Sequence, residues 1–198
     1  MSDTQLARKQ SPGRLLRGLR LALAFLDPRA WLHLVKIVNY YNYTHVAPRR
    51  KIAFAGERNV SPDVVFQNPE RIGIGHRVRI GSRCHLWAGP LKGRILIGDD
   101  VLFGPEVMIT AASYRHDLGS PVTEQPMAEA DVVIGNDVWL ATRAIILPGT
   151  TIGDGSIVAA GAVVKGQFPP MSIIAGSPAR VVSRRVIAAT PETAELPG

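Results

Sequence analysis

Residues 134–182 read IGNDVWLATRAIILPGTTIGDGSIVAAGAVVKGQFPPMSIIAGSPARVV. A large aliphatic residue returns at every sixth position through most of this stretch: Ile134, Leu140, Ile146, Ile152, Val158 and Val164. A period of six matches neither the 3.6-residue beat of an amphipathic helix nor the two-residue alternation of one long strand. It suits a short strand followed by a turn, repeated many times, and a fixed internal period is stronger evidence of fold than local propensity.

Working outward, the same beat runs through Phe54, Val60 and Phe66, then Ile74, Ile80 and Leu86, then Ile97, Phe103 and Ile109. Spacing within each triplet is six, and the extra residues fall between triplets. Three hexads therefore make one turn of a three-sided coil, with insertions gathered at one corner. The fourth residue after each opener is small or β-branched nearly every time: Val78, Cys84, Val101, Val107, Val138, Ala144, Thr150, Ser156 and Ala162. These should fill the narrow space beside the inward openers, so Cys84 reads as a core residue rather than a nucleophile. Glycine follows the opener at 75, 81, 98, 104, 135 and 153, where it is expected to meet tight corner geometry.

The chain of 198 residues carries a net charge of +7, unevenly spread. Residues 1–51 hold ten Lys or Arg against Asp3 and Asp27, and the remainder is close to neutral. That distribution argues against nucleic acid as a partner of the domain, because phosphate binding needs a clustered basic face. A single Cys excludes an internal disulfide and suits a reducing compartment. The apolar run Leu21–Leu26 is too short for a secretory signal or a membrane span, so a cytoplasmic location is expected.

In the basic arm, residues 1–51, Leu15, Leu16, Leu19, Ala22, Leu23 and Leu26 fall at helical spacing from Arg14, with Arg17 and Arg20 displaced from that face. Pro28 opens a second helix through Trp31, Leu34, Val35 and Val38. These helices pad one end of the domain, rest on an anionic membrane surface as a peripheral contact, or form an arm for nucleic acid. Residues 52–170 form the expected repeat domain. Residues 171–198 form a C-terminal segment, with a helix fragment and tail after Arg185.

The beat breaks off at AASYRHDLGSPVTEQPMAEADVV, residues 111–133. A loop this long inside a compact repeat is usually functional. It carries Ser113, Tyr114, His116, Asp117, Glu124 and three prolines or glycines, and His is the side chain best able to take a proton near neutral pH.

Residues 134–182 resemble the C-terminal signature of bacterial hexapeptide-repeat acyltransferases, and the likeness extends over roughly residues 52–185. This family comprises left-handed parallel β-helices and includes maltose, galactoside, exopolysaccharide and lipopolysaccharide sugar O-acetyltransferases, with others acting on nodulation factor or antibiotics. The resemblance implies an all-β, left-handed parallel β-helix, acetyl-CoA as co-substrate without a metal, and a homotrimer whose active sites lie between neighbouring prisms. It implies His116 as the general base of a direct transfer. It also implies that Trp139 packs against the catalytic loop or the pantetheine arm, that Thr142 and Ala160 line the pantetheine channel, and that Lys165 and Arg180 meet the nucleotide phosphates.

His85, Trp87, Tyr114 and Asp117 are the candidates for the acceptor side. Asp117, Glu124 or a backbone carbonyl is expected to orient His116. Two departures stand out. Lys165-Gly166-Gln167 replaces the Thr-Lys-Asp of many relatives, and RCHLWAGP (residues 83–90) replaces an Asn-containing stretch of the galactoside-type enzymes. The acceptor expected is a sugar or lipid-linked glycan. The alternatives are an antibiotic, an amino sugar acylated on nitrogen, a non-catalytic scaffold, or a zinc site of the γ-carbonic-anhydrase kind. Pro121 stands where that zinc site would need a second histidine.

Overall fold

A computed structural model describes residues 13–57 and 59–187. Residues 1–12, and the tail expected beyond residue 187, lie outside the described residues. The chain divides into two units, the second starting at Tyr43. The first contains two helices, α1 (Arg14–Leu26) and α2 (Pro28–Tyr41). Asp27 joins them: its carboxylate accepts from the Arg29 N–H at 2.9 Å, and Pro28 supplies the preset φ of a first helical residue. Among the described residues no helix is long and apolar enough to cross a membrane.

The second unit is a parallel β-helix of about six turns with three faces. The first face stacks Ala53–Phe54, Ile72–Ile74, Ile95–Ile97, Val132–Ile134, Thr151–Ile152 and Gln167–Phe168. The second stacks Asn59–Val60, Arg79–Ile80, Leu102–Phe103, Trp139–Leu140, Ile157–Val158 and Ser172–Gly176. The third stacks Val65–Gln67, His85–Trp87, Met108–Thr110, Ile145–Ile146 and Val163–Val164.

Each opener pairs with the opener of the next turn. Phe54, Ile74, Ile97, Ile134 and Ile152 form one ladder, and Phe66, Leu86, Ile109, Ile146 and Val164 another. All but Phe54 and Val60 are buried, and so are the nine fourth-position residues named above, from Val78 to Ala162. Stacked identical positions bury their aliphatic side chains on one another, which is how a repeat too thin to have a core of its own acquires one.

The corners differ from expectation. Glycines 75, 81, 98, 104, 135 and 153 do not have positive φ; they are needed because the next turn passes too close for a Cβ. At Gly104 such a carbon would lie 2.7 Å from the Thr142 amide nitrogen. The left-handed residue is instead the third after the opener. It is usually not glycine: Arg77, Arg83, Asp100, Glu106, Asp137, Arg143 and Met171 have φ between 51° and 62°. Several of these costly conformations stack into ion pairs. Arg77 meets Asp100 at 2.6 Å, and Glu106 lies between Arg83 and Arg143 at 2.5 Å from each.

Both expected boundaries move. Thr44, His45 and Pro48 are buried, so residues 43–51 belong with the β-helix and not with the basic arm. At the other end a sixth turn crosses residue 170. Phe168 pairs with Ile152 and Ile174 with Val158, and Ala179–Arg184 then returns antiparallel against Ser172–Gly176.

Candidate active site

All the larger excursions leave from the corner between the third and first faces. The longest, 111–133, is a two-stranded arm rather than an unstructured loop. Ala112–Tyr114 runs antiparallel to Met127–Glu129, with Ser113 opposite Ala128. Its base is tied to the prism: the Ala111 N–H donates to the Trp87 carbonyl at 2.9 Å, and the Ala130 N–H to the Ala111 carbonyl at 3.0 Å.

A second tie comes from Glu129. Its Oε2 accepts from the N–H groups of Lys92 and Gly93 at 2.6 Å each, and Leu91 N–H reaches Oε1 at 3.1 Å. Three converging backbone amides stabilise the charged form and hold this carboxyl below the usual carboxylate range, Gly93 contributing most. Asp131 accepts from the Arg94 N–H at 2.8 Å beside it. Sequence reading missed this anchor, because partners 36–38 residues apart leave no local pattern. The one signal was the pair Gly89 and Gly93: a Cβ on Gly89 would run into the Glu129 carboxylate, and one on Gly93 into the Ala111 carbonyl.

His116 sits at the start of the arm's tip, exposed. The Arg115 N–H donates to the Pro126 carbonyl at 3.2 Å, and buried Gln125 knits the tip by accepting from Leu118 N–H and donating to the Ser120 carbonyl. Asp117 makes no hydrogen bond to the imidazole among the described residues. Arg115 takes both its oxygens, at 2.9 and 2.7 Å, and the guanidinium pulls the Asp117 carboxyl down to about 2. Among the described residues the His116 ring makes no hydrogen bond or ion pair, to Glu124 or to any other group, so the position is fixed by backbone and the ring is left open.

The remaining candidates fall into three places. Lys165 lies beside the arm, where a groove of about 350 Å³ runs between Ser113, Ala128 and Ala130 on one side and Leu147, Pro148 and Lys165 on the other. Tyr114, on the arm itself, is exposed. Trp87 and His85 point outward from the third face at the arm's root. Trp87 also lines a groove of about 530 Å³ with Phe66, Gln67 and Asn68. The Nε2 of His85 is buried without a partner among the described residues, and burial pushes its imidazole pKa down.

The third group is separate. Thr142 and Ala160 stack at the corner between the second and third faces, where the Gly161 N–H donates to the Thr142 carbonyl at 3.0 Å. Trp139 stands out from the second face, 47% exposed, between Leu102 and Ile157. Arg180 lies on the returning strand, opposite Ala175. Within one chain the structure therefore places Tyr114 on the arm with His116, Trp87 at the arm's root and Lys165 beside it, and leaves Trp139, Thr142, Ala160 and Arg180 on other edges of the prism. Among the described residues no three His, Cys, Asp or Glu side chains cluster as ligands of a metal.

Comparison with known proteins agrees with this architecture. Residues 131–166 match the family model "Bacterial transferase hexapeptide (six repeats)". The putative lipopolysaccharide biosynthesis O-acetyl transferase WbbJ of Escherichia coli K12 is 38% identical over 98 residues, 46% of this chain and 50% of that protein. A chloramphenicol acetyltransferase of Morganella morganii is 44% identical over 134 residues, 61% of this chain and 57% of its own. The chain thus spans about half the length of these curated relatives. A hexapeptide-repeat acetyltransferase of Vibrio cholerae, solved in complex with acetyl coenzyme A, superposes with a TM-score of 0.63 at 29% identity, covering 71% of this chain and 75% of that one. In its repeat, and in the prism the repeat winds into, the chain is similar to hexapeptide-repeat acetyltransferases.

Proposed function

We propose that the chain is an acetyl-CoA-dependent O-acetyltransferase acting on a sugar hydroxyl, in the assembly of a cell-surface polysaccharide or lipopolysaccharide on the cytoplasmic side of the membrane. The observation that carries this reading is His116: an imidazole that makes no hydrogen bond or ion pair among the described residues, on an arm doubly tied to the prism at the one corner where the repeat is interrupted. A relative of the lipopolysaccharide class and a neighbour solved with acetyl coenzyme A support the substrate pair.

In this mechanism His116 accepts the proton of the acceptor hydroxyl as its oxygen attacks the thioester carbonyl carbon. The tetrahedral adduct collapses with cleavage of the C–S bond, and the imidazolium returns the proton to the departing thiolate. The products are the acetyl ester and free coenzyme A. The stacked, exposed corner of Thr142 and Ala160 suits an extended amide chain, since neither side chain is large enough to block it. Lys165 and Arg180 are cations available for phosphate.

Because Thr142, Ala160 and Arg180 lie on other edges of the prism than His116, a complete site calls for the arm of one chain beside the corner of another. A closed ring of three identical chains supplies three such grooves. A second reading, acetylation of an antibiotic, is favoured by the 44% identity over 134 residues to a chloramphenicol acetyltransferase.

One assay separates the readings: acetyl-CoA turnover over nucleotide-linked sugars, lipid-linked sugars and chloramphenicol, with His116→Ala as control. Transfer to a sugar, reduced about 10²–10⁴-fold in His116→Ala, is expected. Full activity in that variant would overturn the mechanism, and chloramphenicol outrunning every sugar would replace the acceptor class.

A further inference from the structure

The helical unit is built unlike any part of the β-helix. On α1, Leu15, Leu19, Leu23 and Leu26 fall on one face, and they are 92%, 57%, 57% and 79% exposed. On α2, Leu34, Val35 and Val38 are likewise exposed. No residue of either helix is buried. What the helices do share is a corner: the Phe25 and Trp31 rings lie 6.0 Å apart, and the Trp31 indole N–H donates to the Phe25 carbonyl at 2.9 Å.

The polar groups decide what could cover this surface. Arg14, Arg17 and Arg20 recur every third residue along α1, and Arg29 and Lys36 follow on α2. The only acid of the unit among the described residues is Asp27, already engaged as the cap of α2. Among the described residues none of the five cations forms an ion pair. A protein partner would have to supply a matching set of acids while burying the leucines. An anionic lipid surface meets both needs at once, with phosphates at the level of the cations and acyl chains below.

We infer that the α1–α2 unit lies in the plane of an anionic membrane surface, with Leu15, Leu19, Leu23 and Leu26 immersed and Arg14, Arg17 and Arg20 at the headgroups. With 13 residues in α1, the helix is about 20 Å long, too short to span a bilayer core of about 30 Å, so it lies in the interface and does not cross. Trp31 and Tyr40, with apolar bodies and polar tips, suit the same depth. This binding does not depend on the acetyltransferase reading; if both hold, it keeps the enzyme on the surface where lipid-linked acceptors reside.

The test is flotation of the full chain with vesicles of phosphatidylcholine alone or with about a third phosphatidylglycerol. Binding at least about tenfold tighter to the anionic vesicles is expected, weakening with salt. Leu19→Glu/Leu23→Glu should abolish flotation on both. Arg17→Gln/Arg20→Gln should lose the preference for phosphatidylglycerol. Melting curves matching the parent chain verify that both variants are folded. Failure of the parent chain to float, or flotation of the double glutamate variant at the parent level, would overturn the proposal. So would a fall in assembly mass on sedimentation of that variant with no change in lipid binding, which would assign the leucine face to a second copy.

Discussion

Arg115 reaches past His116 to Asp117 and holds both carboxylate oxygens, at 2.9 and 2.7 Å. The pair brackets the proposed base and cancels the charge nearest to it. Asp117, drawn down to about 2, stays ionised at any pH where the enzyme would work.

Arg115→Ala should therefore act on turnover more than on folding. Losing the guanidinium leaves the Asp117 carboxylate without its partner and free to engage the neighbouring imidazole. Turnover should fall several-fold, and Arg115→Ala/Asp117→Asn should recover most of the loss. Full activity of Arg115→Ala would show that the pair does not keep the base free.

The prism was legible because its inward positions repeat without exception from Ile74 to Val164, and each is paired with its counterpart in the next turn. The sixth turn escaped notice because the corner after Val164 contracts, bringing Phe168 four residues on and breaking the count. The corner glycines were read for the wrong reason. Sequence shows that a side chain is missing, not whether backbone torsion or a passing neighbour forbids it. His116 stood out through the interruption, but the arm's short strands and the Glu129 anchor depend on contacts between distant segments.

Gly104 and Gly161 test the distinction between those two reasons. A Cβ on Gly104 would meet backbone atoms, the Thr142 nitrogen at 2.7 Å and the Ala141 carbonyl carbon at 3.1 Å. The turn cannot yield without straining the 2.8 Å bond from Gly104 N–H to the Leu140 carbonyl. Gly161 has φ +69° and open space around it. Gly104→Ala should cost about 1–3 kcal/mol or more, and Gly161→Ala about 1 kcal/mol. Thermal melting of both variants checks the order, and equal shifts would contradict it.

Glu129 should make the arm sensitive to acid. Its folded pKa is depressed by the amides of Gly93, Lys92 and Leu91, so its contribution is present above the ordinary carboxylate range and is lost as pH falls through the folded value. Glu129→Gln should melt below the parent chain at pH 7, and the gap should close as the pH falls below about 4. Proteolysis at the arm should also speed up in the variant at neutral pH. An undiminished gap in acid would show that the carboxylate's charge is not what ties the arm down.

Cys84 offers a check on direct transfer. Its side chain is 1% exposed, its thiol donates to the Gly104 carbonyl at 3.2 Å, and burial pushes its pKa up to about 11. A thiol so placed is neither ionised nor reachable at neutral pH, and thiolate is the reactive form. In the native protein Cys84 should resist thiol reagents, and Cys84→Ala should transfer acetyl groups within about twofold of the parent rate, since no step passes through sulfur. The raised folded pKa means that the stability lent by the neutral thiol is intact below the unfolded value of 9.0 and is lost as the pH climbs to about 11. The alanine variant should lose that part of the alkaline decline in melting temperature. An acetylated Cys84 in the mass spectrum of enzyme mixed with acetyl-CoA would replace one-step transfer by a covalent route.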